Sequence, residues 1–145
     1  FNNMAGAFYM LHQFDKAVIA CKKAISLQSD NIDSYFNLGI AYTAMDSNRQ
    51  AINAYQYVIK LDSLNKMAYF NMGSLYSELK EFQNAIVCYQ KMLIIDPKDT
   101  KAYVNMAIAF AELGENEKLF EYMRKAAQMG DKEAQEFLSK TKNTW

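Results

Sequence analysis

Apolar residues return along this chain every three or four positions, in runs of roughly a dozen residues separated by short polar breaks, the signature of amphipathic helices. Phe14, Ala17, Val18, Cys21, Ala24 and Ile25 form one such stripe and predict a helix over 15–27, following another over 1–11. The stripes recur in pairs. Tyr69, Met72, Gly73, Tyr76, Ala85, Tyr89 and Pro97 are matched 34 residues earlier by Tyr35, Leu38, Gly39, Tyr42, Ala51, Tyr55 and Ser63. The same step forward gives Tyr103, Met106, Ala107, Phe110, Leu119 and Met123, and two steps back give Phe1, Met4, Ala5, Phe8, Ala17, Cys21 and Ser29.

A fixed period with bulky and small residues in constant order marks a helix-turn-helix array. These residues resemble the tetratricopeptide repeat over nearly the whole chain. The resemblance implies an all-α, right-handed superhelical solenoid of antiparallel helix pairs. The repeats are placed at 1–31 (truncated at its start), 32–65, 66–99 and 100–130, within a single domain closed by a capping helix over 131–142. Phe1 falls at a mid-helix position, so the chain is expected to be a fragment entered part-way through a helix. Gly39 and Gly73, with Ala5 and Ala107 in the same slot, weaken a helix interior relative to larger residues and imply a close approach by the second helix. Asn31, Asn65 and Asp99 precede successive first helices as N-caps. Ser47 with Gln50 predicts a capping box. At the far end, Gly130 and Asp131 punctuate the last junction. The final helix turns Ala134, Phe137 and Leu138 inward and Lys132, Glu133, Glu136 and Lys140 outward, as an array terminus needs.

Charge narrows the partners. Sixteen basic residues balance sixteen acidic ones, which leaves no field for phosphate backbones and argues against nucleic acid. No apolar run has the length of a membrane span. Cys21 and Cys88 lie two repeats apart and read as packing residues beyond disulfide reach. His12, the one histidine, falls in a turn with no serine or cysteine beside it. No spaced metal-ligand set, phosphate loop or paired carboxylates appears, so the reading is a non-catalytic protein with no cofactor and no metal.

Function is expected on the other side of each first helix, which stacking turns to the inner, concave wall. There Asn3, Asn37, Asn71 and Asn105 recur at the full period. An asparagine amide offers both a donor and an acceptor to an extended peptide backbone. With rungs roughly 10 Å apart and an extended rise of roughly 3.3 Å per residue, one asparagine would meet every third peptide residue. Some members of the repeat family hold peptides through such a ladder, and the resemblance extends that role to these four positions. Phe36, Phe70 and Val104 share a neighbouring slot, Ile40 and Ile108 another, and Lys101 lies beside them. The expected partner is therefore a protein or extended peptide with apolar side chains. A chaperone-tail clamp is disfavoured, because Asn2 and Phe36 stand in its lysine slots. The alternatives are self-assembly or a structural spacer using the N-terminal face around Phe1, Met4 and Phe8, giving a homo-oligomer, or a regulatory domain of a larger protein.

Overall fold

The apolar stripes become helices because the chain places its breaks between them and not within. The computed structural model describes the backbone of residues 2–141 and the side chains of residues 3–141. Among these there are nine helices: α1 (Asn2–Met10), α2 (Phe14–Leu27), α3 (Ile32–Ala44), α4 (Asn48–Leu61), α5 (Lys66–Glu78), α6 (Phe82–Ile95), α7 (Thr100–Glu112), α8 (Asn116–Gln128) and α9 (Lys132–Thr141). The first helix is shorter than its stripe, with Leu11 already in the turn, and α2 starts one residue earlier than expected. Phe1 lies outside the described residues.

Two kinds of junction alternate. Between the helices of a pair, His12, Asp46, Lys80 and Gly114 occupy one slot at φ +55°, +53°, +59° and +76°, the left-handed conformation that ends a helix. The following N–H groups close the turn: Gln13 donates to the Phe8 carbonyl at 2.8 Å and Ser47 to Tyr42 at 2.9 Å, with Glu81 and Glu115 donating likewise to Tyr76 and Phe110. This closure overturns the capping box expected at Ser47. Its backbone stops at ψ 59°, no cap bond forms, and the hydroxyl donates backwards to the Met45 carbonyl at 3.4 Å.

Between pairs the junction is capped by side chains, as the sequence suggested. Asn31 accepts from the Ser34 N–H at 2.9 Å, Asn65 from Ala68 at 3.1 Å, Asp99 from Ala102 at 3.2 Å and Asp131 from Ala134 at 3.0 Å. Asp62 and Asp96 support the same turns by accepting from the N–H groups of Leu64 and Lys98.

By internal contacts the chain divides into two compact units, residues 1–75 and 76–145, with the division inside α5. In the first unit α1 packs on α2 and α3, and α3 on α2 and α4. Its core includes Ala17, Cys21, Leu38, Tyr42, Ile52 and Val58, with Tyr55 driven against α3. Gly39 makes that approach possible, since a Cβ there would stand 2.6 Å from the Tyr55 ring. Ser34, Ala68 and Ala102 fill one wholly buried slot in the first turn of their helices, a small-residue requirement the repeat pattern had not exposed. In the second unit α6 packs on α7, α7 on α8 and α8 on α9. Ala107, Met123, Ala126 and Ala134 form a buried cluster there, with Phe137 and Leu138 of α9 laid against it.

Candidate peptide-binding surface

The ladder slots fall on the sides of α1, α3, α5 and α7 that their neighbours leave partly open. In the first unit Asn3 is exposed, while Asn37 and Asn71 are half-buried, each beside an aromatic residue of the preceding position, Phe36 or Phe70. Ile40 is half-buried one turn beyond Asn37. In the second unit α7 presents the same slots as half-buried Val104 and Asn105, exposed Lys101, and Ile108 with about half of its surface in water. On α3 and α7 the amide has an apolar residue three positions on, Ile40 after Asn37 and Ile108 after Asn105, on the same face of the helix.

The asparagines differ in their surroundings. The Asn71 side chain hydrogen-bonds the hydroxyl of Tyr55, which also bonds Thr43. Tyr55 is 1% exposed, and burial pushes its phenol above the usual range against the opposing pull of those two bonds. The ring is therefore a neutral bonding partner at any physiological pH. It is also fixed in place: Gly39 admits its edge, Phe36 meets it in a T-shaped contact at 5.4 Å, and Thr43 is itself held by its Oγ1 donating to the Gly39 carbonyl at 2.9 Å. Asn71 is oriented by this assembly. The Asn37 and Asn105 amides, half-exposed, take no side-chain partner among the described residues. The slot before Asn37 that corresponds to Tyr55 holds Cys21, too short to reach as a phenol does.

Tyr55 is the member of this surface that the repeat pattern alone did not single out for it; Thr43 falls in an inner-wall slot of repeat two. The signal for Tyr55 was present as the repeated small–aromatic pairing with Gly39, which marks a packed ring but says nothing of where the hydroxyl points.

Burial raises the Cys21 thiol to about 11 and that of Cys88 to about 12, so both remain protonated, poor nucleophiles near neutrality. His12 is exposed in its turn with its ring edge-on to Phe14 at 5.8 Å. Among the described residues no group of His, Cys, Asp and Glu could hold a metal ion, and no helix is long and apolar enough to cross a membrane.

Paired helices with capped and left-handed junctions in strict alternation define an all-α helical-repeat protein. The tetratricopeptide-repeat family profiles match residues 32–63 and 67–99. The chain is a tetratricopeptide-repeat protein, of a family whose members serve generally as non-catalytic scaffolds for protein interaction. Among solved structures it is similar to a crystal structure of MamA, at TM-score 0.84 and 26% identity over 92% of this chain and 78% of the other. A second MamA crystal structure gives 0.83 and 26%, covering 92% and 73%. Residues 41 to the end of MamA from Desulfovibrio magneticus RS-1 share the fold at 0.81 and 19% identity, over 97% and 90%. No curated protein matches the chain by sequence.

Proposed function

We propose that the chain is a non-catalytic scaffold that holds an extended, partly apolar protein segment on the ladder side of its first helices. The observation that carries this reading is the pairing of Asn37 with Phe36 and of Asn71 with Phe70, one repeat apart in the same slots, with the Asn71 amide held by the buried Tyr55 hydroxyl. An amide held in advance loses little rotamer freedom when it bonds a peptide, which favours binding. Phe36, Phe70 and Ile40 take the apolar side chains of the segment. Asn3 continues the ladder on α1, and Lys101, Val104, Asn105 and Ile108 repeat the arrangement on α7.

The amides bond the peptide backbone and the apolar groups select among side chains, so affinity and selectivity separate by residue. A test starts with peptides selected from a random display pool against the whole chain. Their affinities are then measured by fluorescence anisotropy for the wild type and for the double variant Asn37→Ala, Asn71→Ala. Two lost bonds at about 0.5–1.5 kcal/mol each predict roughly tenfold weaker binding, with helicity unchanged by circular dichroism. Unaltered affinity removes the ladder from the account.

A further inference from the structure

Repeats two and four treat one space differently. In repeat four Tyr122 fills it, with its ring stacked on Phe110 at 5.3 Å and 22° and tilted against Tyr103 at 6.2 Å. Lys118 lies over Phe110 at 4.8 Å and Lys125 over Tyr122 at 4.7 Å, each ammonium paired in turn with a carboxylate, Glu115 or Glu121. The aromatic cluster is thus covered, and its charges are matched, by the chain itself.

Two periods earlier Tyr35 stands for Tyr103, Tyr42 for Phe110, Gln50 for Lys118, Ala54 for Tyr122 and Tyr57 for Lys125. The ring that joins the cluster is missing, and a methyl group occupies its slot. Tyr35 stacks instead on Tyr57, at 4.9 Å and 12°. Between these rings, Tyr42 and Ala54 lies an open cleft of about 240 Å³. Residues of α2, α3 and α4 all line it, so flanking helices of the chain set its shape on both sides.

The polar groups of this cleft have no partner within the chain. Lys22 of α2 comes to 5.9 Å from the Tyr42 ring centroid, and among the described residues it pairs with no carboxylate. Tyr42 is 8% exposed, and its hydroxyl likewise takes no hydrogen-bond partner among the described residues. Every wholly buried side-chain nitrogen or oxygen there does have one, so this hydroxyl is open to the cleft. The exposed amides of Gln50 and Asn53 complete the rim. An ammonium, a phenol O–H and two NH₂ groups can all donate, and a carboxylate is the ion that accepts from them.

We propose that the repeat-two cleft receives an aromatic side chain of a partner protein, which stacks on Tyr42 as Tyr122 stacks on Phe110, while an adjacent Asp or Glu of the same segment meets Lys22 and the Tyr42 hydroxyl. Repeat four supplies the template for the ring, and the unmatched donors supply the charge requirement. Offset stacking at such centroid distances is the arrangement aromatic pairs prefer. The volume falls below the roughly 300 Å³ at which small-molecule sites begin, so one inserted side chain suits it better than a free ligand. The site does not rest on the asparagine ladder.

The probe is a seven-residue peptide with one Phe between two Glu in a Gly-Ser frame, titrated into the ¹⁵N-labelled whole chain. The side-chain NH₂ signals of Gln50 and Asn53 are expected to move along a saturating curve. Replacing the peptide's Phe by Ala should abolish the movement, and replacing both Glu by Gln should weaken binding roughly tenfold. Ala54→Tyr, which installs the repeat-four ring, is expected to close the cleft and abolish binding. Lys22→Glu, an exposed change that leaves the fold intact by circular dichroism, should weaken binding roughly tenfold or more even if Ala54→Tyr does not fold. Asn37→Ala with Asn71→Ala should leave the affinity untouched, which separates this site from the ladder. Absence of saturable movement, equal binding of the Ala peptide, or indifference to Lys22→Glu overturns the proposal. So do Gln50 and Asn53 signals that shift with the concentration of the chain alone, which would assign the cleft to a second copy.

Discussion

Repeats two and four solve the same packing problem with different residues. In repeat two the slots opposite one another hold Gly39 and Tyr55; in repeat four they hold Ala107 and Met123. All four are buried, so either pair fills its space. The tyrosine does more than fill. Its hydroxyl reaches Asn71 on the next first helix, whereas the helix after repeat four carries Ser139 in the ladder slot and has no amide to orient. In repeat two the phenol is followed by a ladder asparagine that it bonds, whereas in repeat one Cys21 precedes Asn37 without such a bond. The repeat slot calls for a buried residue, and the polar role is particular to Tyr55.

The largest expected effect breaks the small partner. Gly39→Ala places a methyl 2.6 Å from the Tyr55 ring, which must shift against its hydroxyl bonds to admit it. Overpacking of this kind costs roughly 1–3 kcal/mol, measurable as a lower urea midpoint. The reciprocal change Ala107→Gly meets no clash and is expected to lose only the helix-propensity difference, about 1 kcal/mol. Equal losses at the two sites would mean that the ring does not require its glycine.

Tyr55→Phe keeps the packing and removes the polar role. Loss of its bonds to Thr43 and Asn71 should destabilise the chain by about 1–2 kcal/mol. It should also weaken peptides selected on the ladder surface, because Asn71 is then ordered only on binding. A stability loss with unchanged peptide affinity would separate the hydroxyl from function and leave it a packing device.

The smallest effects concern the two junction types. Asn65→Ala deletes a formed cap and should cost about 1 kcal/mol. Ser47→Ala deletes a hydroxyl that caps nothing and should stay within about 0.5 kcal/mol in thermal or urea melts. Comparable losses would show that the serine caps its helix in solution.

Much of this was legible in the sequence because a repeat writes the same constraint several times. The period fixed which residues face the partner helix, and Asn31, Asn65 and Asp99 announced their caps through the chemistry of a short oxygen-bearing side chain before a helix. The Ser47 box misled because its pattern is local, while the left-handed Asp46 before it sets the backbone and points the hydroxyl back to Met45. The ladder positions could be named from periodicity, but the Tyr55–Asn71 bond could not, since it joins residues on different helices whose distance no spacing rule gives.

The ladder itself is tested most directly by side-chain amide resonances. With the chain ¹⁵N-labelled, the NH₂ signals of Asn37 and Asn71 are followed while a display-selected peptide is titrated in. The account predicts that both move with the binding curve while those of Asn48 and Asn116, at the starts of second helices, stay in place. Saturated binding with the Asn37 and Asn71 signals unmoved would contradict it.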